Sequence, residues 1–270
     1  MLGFRELFRK QHSLIAMVHV DALPGTPRYN TCMERIVEKA CKETEIYLQN
    51  DVDGILIENM HDVPYIKHEK FQPETVACLS RVCAEIKRII PATLPCGLQV
   101  LAGGNKEALA IAKACSLNFI RAEGFVFGHI ADEGYIDADA GEIMRYRKYI
   151  EADNVKVFTD IKKKHSSHSI TADVSLVETA NAAHFFLSDG VILTGTSTGS
   201  PADASDLAEL RNHCNLPILI GSGVTADNLK RYKSANAFIV GSYFKRGGVW
   251  CNDLDENRIK SLYNHERGKK

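Results

Sequence analysis

The chain has 270 residues, 45% of them hydrophobic and 25% charged, an ordinary composition for a globular protein. Its 33 Lys and Arg against 34 Asp and Glu leave a net charge of −1, which argues against nucleic acid or an anionic membrane surface as partner. No apolar run reaches the roughly 20 residues that span a bilayer, and the scattered cysteines, without a CxxC pair, suit a reducing compartment better than a disulfide framework.

Residues 1–12 are basic and amphipathic and are expected to form a helical plug or arm on the lower face of the fold. A short mitochondrial presequence has similar features, but Glu6 is unusual in one and a strand pattern follows at once. The expected location is therefore cytoplasmic, with the mitochondrion as the alternative. From there strand-like apolar runs alternate with amphipathic helical runs. Strands are expected at 14–18, 54–57, 97–101, 119–122, 155–159, 190–193, 218–220 and 238–240. Helices are expected at 31–49, 74–90, 105–115, 140–150, 173–187, 202–212, 226–233 and 255–264. Ser200-Pro201-Ala202-Asp203 reads as a helix start, with Ser200 as the cap and Pro201 in the first turn. Eight βα units with no low-complexity linker predict an α/β fold in which 1–270 form one TIM barrel, (β/α)8, the size being close to the ~250 residues typical of it.

The last two strands end alike. Pro217-Ile218-Leu219-Ile220 runs into Gly221-Ser222-Gly223-Val224-Thr225, and Ala237-Phe238-Ile239-Val240 runs into Gly241-Ser242. Bare backbone N–H groups at such turns suit a phosphate, the more so after strands 7 and 8 of a barrel. Gly221, Ser222, Gly223, Gly241 and Ser242 are the candidate phosphate ligands, joined by Thr196 from the sixth loop. Thr225 is placed to cap the helix that begins at Ala226.

Catalytic groups should gather where strands run out into loops. Those ends carry His19 and Asp21, Glu58 and Asn59, Gln99, Arg121 and Glu123, then Asp160, Lys162, Lys164 and His165, then Thr194, Thr196 and Thr198. Each has a bland reading: His19 as a satisfied core histidine, a single carboxylate as a loop anchor, Lys162-Lys163-Lys164 as a solvated run. Together they make a converging charged mouth, as acid–base chemistry requires. Asp160, Glu58, His19, Arg121, Glu123, Lys164 and His165 are the catalytic candidates. Arg121, expected to be buried, needs Glu58, Glu123 or Asp160 as partner. Lys162 or Lys164 would serve as a Schiff-base nucleophile if desolvated. No HExxH or cysteine pair calls for a metal; a divalent ion, as a candidate cofactor, would sit on Asp160, Glu58 and His19.

Met17-Val18-His19 with Ala22-Leu23-Pro24-Gly25-Thr26-Pro27 resembles the first-strand signature of the BtpA/SgcQ family. Asp53-Gly54-Ile55-Leu56-Ile57-Glu58-Asn59 with Asp62-Val63-Pro64 resembles its second segment. Further matches are Phe119-Ile120-Arg121, Arg145-Tyr146-Arg147, Asp160 with Lys164-His165, and Thr194-Gly195-Thr196-Ser197-Thr198-Gly199. Both glycine turns and Lys245-Arg246-Gly247-Gly248 complete the set. The resemblance implies a TIM barrel of the ribulose-phosphate-binding type without a settled reaction. It admits phosphosugar or nucleotide-derived chemistry, or a role in photosystem I biogenesis. Leu101-Ala102-Gly103-Gly104-Asn105 and Ala122-Glu123-Gly124-Phe125-Val126-Phe127 depart from the family pattern and loosen any carry-over of specificity. The expected function is an enzyme of a small phosphorylated metabolite, by isomerase, lyase or hydrolase chemistry. The rival is a non-enzymatic assembly or stability factor. A homo-oligomer is compatible with either.

Overall fold

The computed structural model describes residues 2–267. In chain order the first half runs α1 (Leu2–Leu7), β1 (Ser13–His19), α2 (Met33–Gln49), β2 (Gly54–Glu58), α3 (Pro73–Ile89), β3 (Cys96–Gln99), α4 (Asn105–Ala114) and β4 (Phe119–Ala122). Then come β5 (His129–Ala131), β6 (Gly134–Ile136), α5 (Ala140–Tyr149), β7 (Lys156–Ile161), β8 (Ser166–Ser167) and α6 (Leu176–Phe185). The chain continues through β9 (Gly190–Leu193), α7 (Ala204–His213), β10 (Ile218–Ile220), β11 (Ala237–Val240) and α8 (Glu256–Arg267). Strands β1, β2, β3, β4, β7, β9, β10 and β11 pair in parallel in that order, and β11 returns to β1, closing the barrel. The protein is a TIM barrel.

Alternation along each strand divides the apolar side chains into two cores. Leu14, Ala16 and Val18 of β1, Ile55 and Ile57 of β2, and their equivalents face the helices. Ile15, Met17, Leu56, Phe119, Phe158, Ile192, Leu219 and Ile239 fill the barrel interior. Phe4 and Phe8 join this inner core: Phe4 meets Phe158 at 5.8 Å between ring centroids, and Phe8 meets Phe119 at 5.6 Å. Helix α1 thus plugs the end where the strands begin, burying two aromatic rings there. Met1 of the expected plug lies outside the described residues.

The structure differs from the sequence pattern in four places. The third strand ends at Gln99, not 101, because the Asn59 side chain takes both the N–H and the carbonyl of Leu101 and draws the backbone off the sheet. The helix expected at 226–233 is a 3-10 turn, Leu229–Tyr232; Thr225 Oγ1 does accept the Asn228 N–H, but Asn228 is turned back onto Gly223 and Thr225. Helix α7 is capped by Asp203, whose carboxylate accepts from the Ser205 N–H, instead of by Ser200. A small antiparallel sheet in the order β6-β5-β8 also stands beside the barrel, its strands too short to show a period.

Candidate active site

The alternation that builds the inner core also aims the next inward residue of each strand at the open end. Two positions past Met17, Leu56, Phe119 and Phe158 come His19, Glu58, Arg121 and Asp160, all buried. Gln99 lies beside Glu58 in register, its amide oxygen buried without a protein partner among the described residues. Two positions past Leu219 and Ile239 come Gly221 and Gly241, so strands β10 and β11 present backbone where the others present charge.

Arg121 and Asp160 form a buried fork. Nε donates to both carboxylate oxygens at 3.2 and 3.3 Å, and Nη2 approaches the carboxylate at 3.1 Å. Side-chain exposures of 3% and 1% leave this pair almost no water, so each charge depends on the other. A side chain on Gly221 would meet Ile192 Cγ2 at 2.5 Å and Arg121 Nη2 at 3.2 Å, so only a glycine leaves the guanidinium its place.

Glu58 faces His19 across 3.8 Å, too long for a hydrogen bond. Burial pushes the Glu58 carboxyl up, against the pull of the Arg121 and Lys164 cations. Burial, with Lys245 nearby, takes His19 down to about 3, so it is neutral at physiological pH. His19 Nδ1 lies 3.3 Å from the Trp250 carbonyl. A carbonyl only accepts, so Nδ1 carries the proton and Nε2 is left as an acceptor on the Glu58 side.

The run Lys162-Lys163-Lys164 separates into three fates. Lys162 Nζ donates to the Thr171 carbonyl. Lys163 is buried on Glu123 at 3.2 Å. Lys164 turns into the mouth, with Thr198 Oγ1 at 3.5 Å; burial and then the nearby Arg121 cation lower its pKa.

One cavity of about 120 Å³ joins these groups. Its lining includes His19, Glu58, Arg121 and Lys164 together with Gly221, Ser222, Gly223, Gly241 and Ser242, the Gly241 backbone lying close to the His19 ring and Gly221 close to the Arg121 guanidinium. Among the described residues, no protein group accepts from the N–H of Gly223 or Ser242. Gly223 sits at φ 65°, with Ser200 backbone atoms 2.3 Å from where a Cβ would stand. The Ser222 hydroxyl is engaged by Gly195 and Ser200, so its contribution to the cavity wall is backbone.

Four expectations are revised by this geometry. Asp160 does not converge with Glu58 and His19 on one ligand: its oxygens face Arg121, and it is not part of the cavity wall. No three His, Cys, Asp or Glu side chains among the described residues gather closely enough to hold a metal, so the candidate trio Asp160, Glu58 and His19 does not assemble one. Glu123 stands behind the mouth, tied to Lys163 and to the Gly103 N–H. His165 and Thr196 are exposed and fasten one loop to another: His165 N–H donates to the Thr196 carbonyl, and its Nε2 accepts from the Thr198 N–H. Thr198 and Gly199, not Thr196, reach the cavity.

The structure adds Arg258 and Tyr243 to the wall. Arg258, on α8, donates Nε to the Tyr243 carbonyl, and its guanidinium lies 4.4 Å from the Tyr243 ring centroid. The sequence signal for it was weak, since α8 lies after the last strand, outside the strand ends where a barrel's site is sought.

Comparison with known proteins agrees with the resemblance. The BtpA family model matches residues 10–267, and the chain belongs to the BtpA family. A Caenorhabditis elegans protein described as uncharacterized and mitochondrial is 47% identical over 255 residues, covering 93% of this chain and 92% of its own. The photosystem I biogenesis protein BtpA of Synechocystis sp. is 31% identical over 259 residues, covering 95% of this chain and 88% of its own. Among solved structures, thiamine phosphate pyrophosphorylase from Pyrococcus furiosus superposes with a TM-score of 0.60 at 9% identity, covering 98% of each chain. At that identity the likeness concerns the fold alone, a TIM barrel.

Proposed function

We propose that the chain is an enzyme that moves a proton on a small phosphorylated carbonyl metabolite, a sugar phosphate or nucleotide-like ester, as an isomerase or lyase does. The observation that carries this reading is a cavity whose lining combines two glycine turns with Glu58, Arg121 and Lys164. The phosphate binds the N–H groups of Gly223 and Ser242, with Arg258 as its countercharge. Arg121, held in place by Asp160, is the group that would stabilise charge developing on a carbonyl or enolate oxygen. Glu58 carries the proton; a carboxyl pushed up by burial gains and loses one more readily near neutral pH. His19, neutral, offers Nε2 as a fixed acceptor beside it. Hydrolysis fits less well. His19 at about 3 is a weak base for water, and Asp160 is occupied by Arg121.

The name of the Synechocystis relative supports a second reading, a factor in the assembly or stability of another protein. The mitochondrial description of the worm relative favours that compartment over the cytoplasm. A screen of sugar phosphates and nucleotides, with and without Mg²⁺, Mn²⁺ or Zn²⁺, separates the two readings. The enzyme reading expects turnover of at least one compound, falling roughly 10²–10⁴-fold in Glu58→Gln with phosphate binding kept. No binding and no turnover in the native protein favours the assembly factor.

A further inference from the structure

The three consecutive lysines after β7 are not equivalent, and the difference bears on mechanism. Lys162 and Lys163 are each spent on a protein acceptor, the Thr171 carbonyl and the Glu123 carboxylate. Lys164 has its backbone N–H fixed by Thr194 Oγ1 at 3.1 Å and its side chain in the cavity, where the nearest hydrogen-bonding group is Thr198 Oγ1 at 3.5 Å. No carboxylate among the described residues forms a salt bridge with it. It lines the same cavity as the glycine turns and as Glu58, whose carboxyl burial pushes up. We propose that Lys164 is a covalent catalyst whose Nζ forms a Schiff base with the aldehyde or ketone carbon of the phosphorylated substrate.

The step balances within the site. The lone pair of neutral Nζ forms the C–N bond while the carbonyl π pair moves to oxygen, which takes a proton from Glu58. Nζ then returns a proton to Glu58. A further proton from Glu58 lets the hydroxyl leave as water while the nitrogen lone pair forms C=N. The imine, protonated, is an electron sink for the pair released when a neighbouring C–H or C–C bond breaks. Burial of the amine and then the Arg121 cation lower the Lys164 pKa, against the pull of Glu58, Asp160 and Glu123, towards the neutral amine that the first step requires. The small cavity, about 120 Å³, favours short-chain substrates.

This inference rests on the phosphate reading above, and its test keeps the two apart. The full-length protein is incubated with dihydroxyacetone phosphate or glyceraldehyde 3-phosphate, then with the unphosphorylated dihydroxyacetone and glyceraldehyde, each with sodium borohydride. Intact mass and peptide mapping locate the reduced adduct, and inorganic phosphate binding is titrated separately. The expected result is one adduct per chain on Lys164, at least about tenfold above Lys162, Lys163 and the surface lysines. It should be stronger with the phosphorylated compounds and absent in Lys164→Arg and Lys164→Gln, both of which still bind phosphate. An adduct on Lys164 with equal yield from both classes of compound supports the lysine and overturns the phosphate anchor. No adduct on Lys164 with any of the four, or labelling spread evenly over the lysines, overturns the proposal even if phosphate binds.

Discussion

Replacing Arg121 by Met leaves the Asp160 carboxylate buried without its cation. Breaking such a pair from one side costs about 3–5 kcal/mol, so Arg121→Met is expected to lower the urea midpoint strongly. Arg121→Met with Asp160→Asn removes both charges and should recover much of that loss without restoring activity. If the double variant is no more stable than the single one, the pair does not hold the fold as described. Arg258 is expected to act on binding alone. Removing one charge-assisted contact worth about 1.5–3 kcal/mol predicts at least a roughly tenfold weaker inorganic phosphate affinity in Arg258→Met, with the thermal midpoint little changed. Unchanged affinity by calorimetry would take Arg258 out of the anion site.

Acid should find the buried histidines. His129 on β5 is held at about 4 by burial and by the Lys163 and His168 charges, against the opposite pull of Glu123. With its folded pKa below the unfolded 6.5, it binds fewer protons folded than unfolded. Its contribution is therefore full above about pH 6.5 and is lost as pH falls towards 4. His129→Gln should flatten the stability slope in that window; an unaltered slope would show that His129 is not the group being charged. His19, Glu58 and Arg121 were legible as site candidates because a period of two on strands of known core face leaves them no other direction. The exclusive pairing of Asp160, and the choice of Thr198 over Thr196, depend on loop paths that no local pattern encodes.

At the scale of elements, α1 closes one end of the barrel and the β10 and β11 turns shape the other. Phe8→Ala removes a ring packed on Phe119 and Phe158, and core Phe→Ala changes typically cost about 3–5 kcal/mol. The expectation is a large drop in denaturant midpoint with phosphate affinity unchanged in the folded fraction, since the plug and the mouth are at opposite ends. A selective loss of phosphate binding at unaltered stability would contradict that separation. All eight barrel strands were readable as apolar runs bounded by helical segments. Their ends were less so. The third strand stops where the Asn59 side chain captures Leu101, a contact 42 residues away in sequence. The small sheet of β5, β6 and β8 escaped notice because strands of two or three residues carry no period.

For the whole molecule, closure of the barrel is what turns scattered strand ends into a site. His19 and Glu58 come from the first two barrel strands and the glycine turns from the last two, and they meet only because β11 pairs with β1. The order of elements and the paired glycine turns made that closure readable from the sequence. The position of Arg258 at the cavity was not, since α8 follows the last strand, and the choice of Lys164 over Lys162 is set by the packing of neighbouring loops.

The proposed function requires the two glycine turns to hold a phosphate in the cavity that Glu58 and Lys164 also line. Its most direct measurement is a crystal structure of the native protein with tungstate as a heavy phosphate analogue, read by anomalous scattering. A peak is expected within hydrogen-bonding distance of the Gly223 and Ser242 N–H groups and of Arg258. A peak on another pair of strand ends, or a site left empty at saturating tungstate, would contradict it.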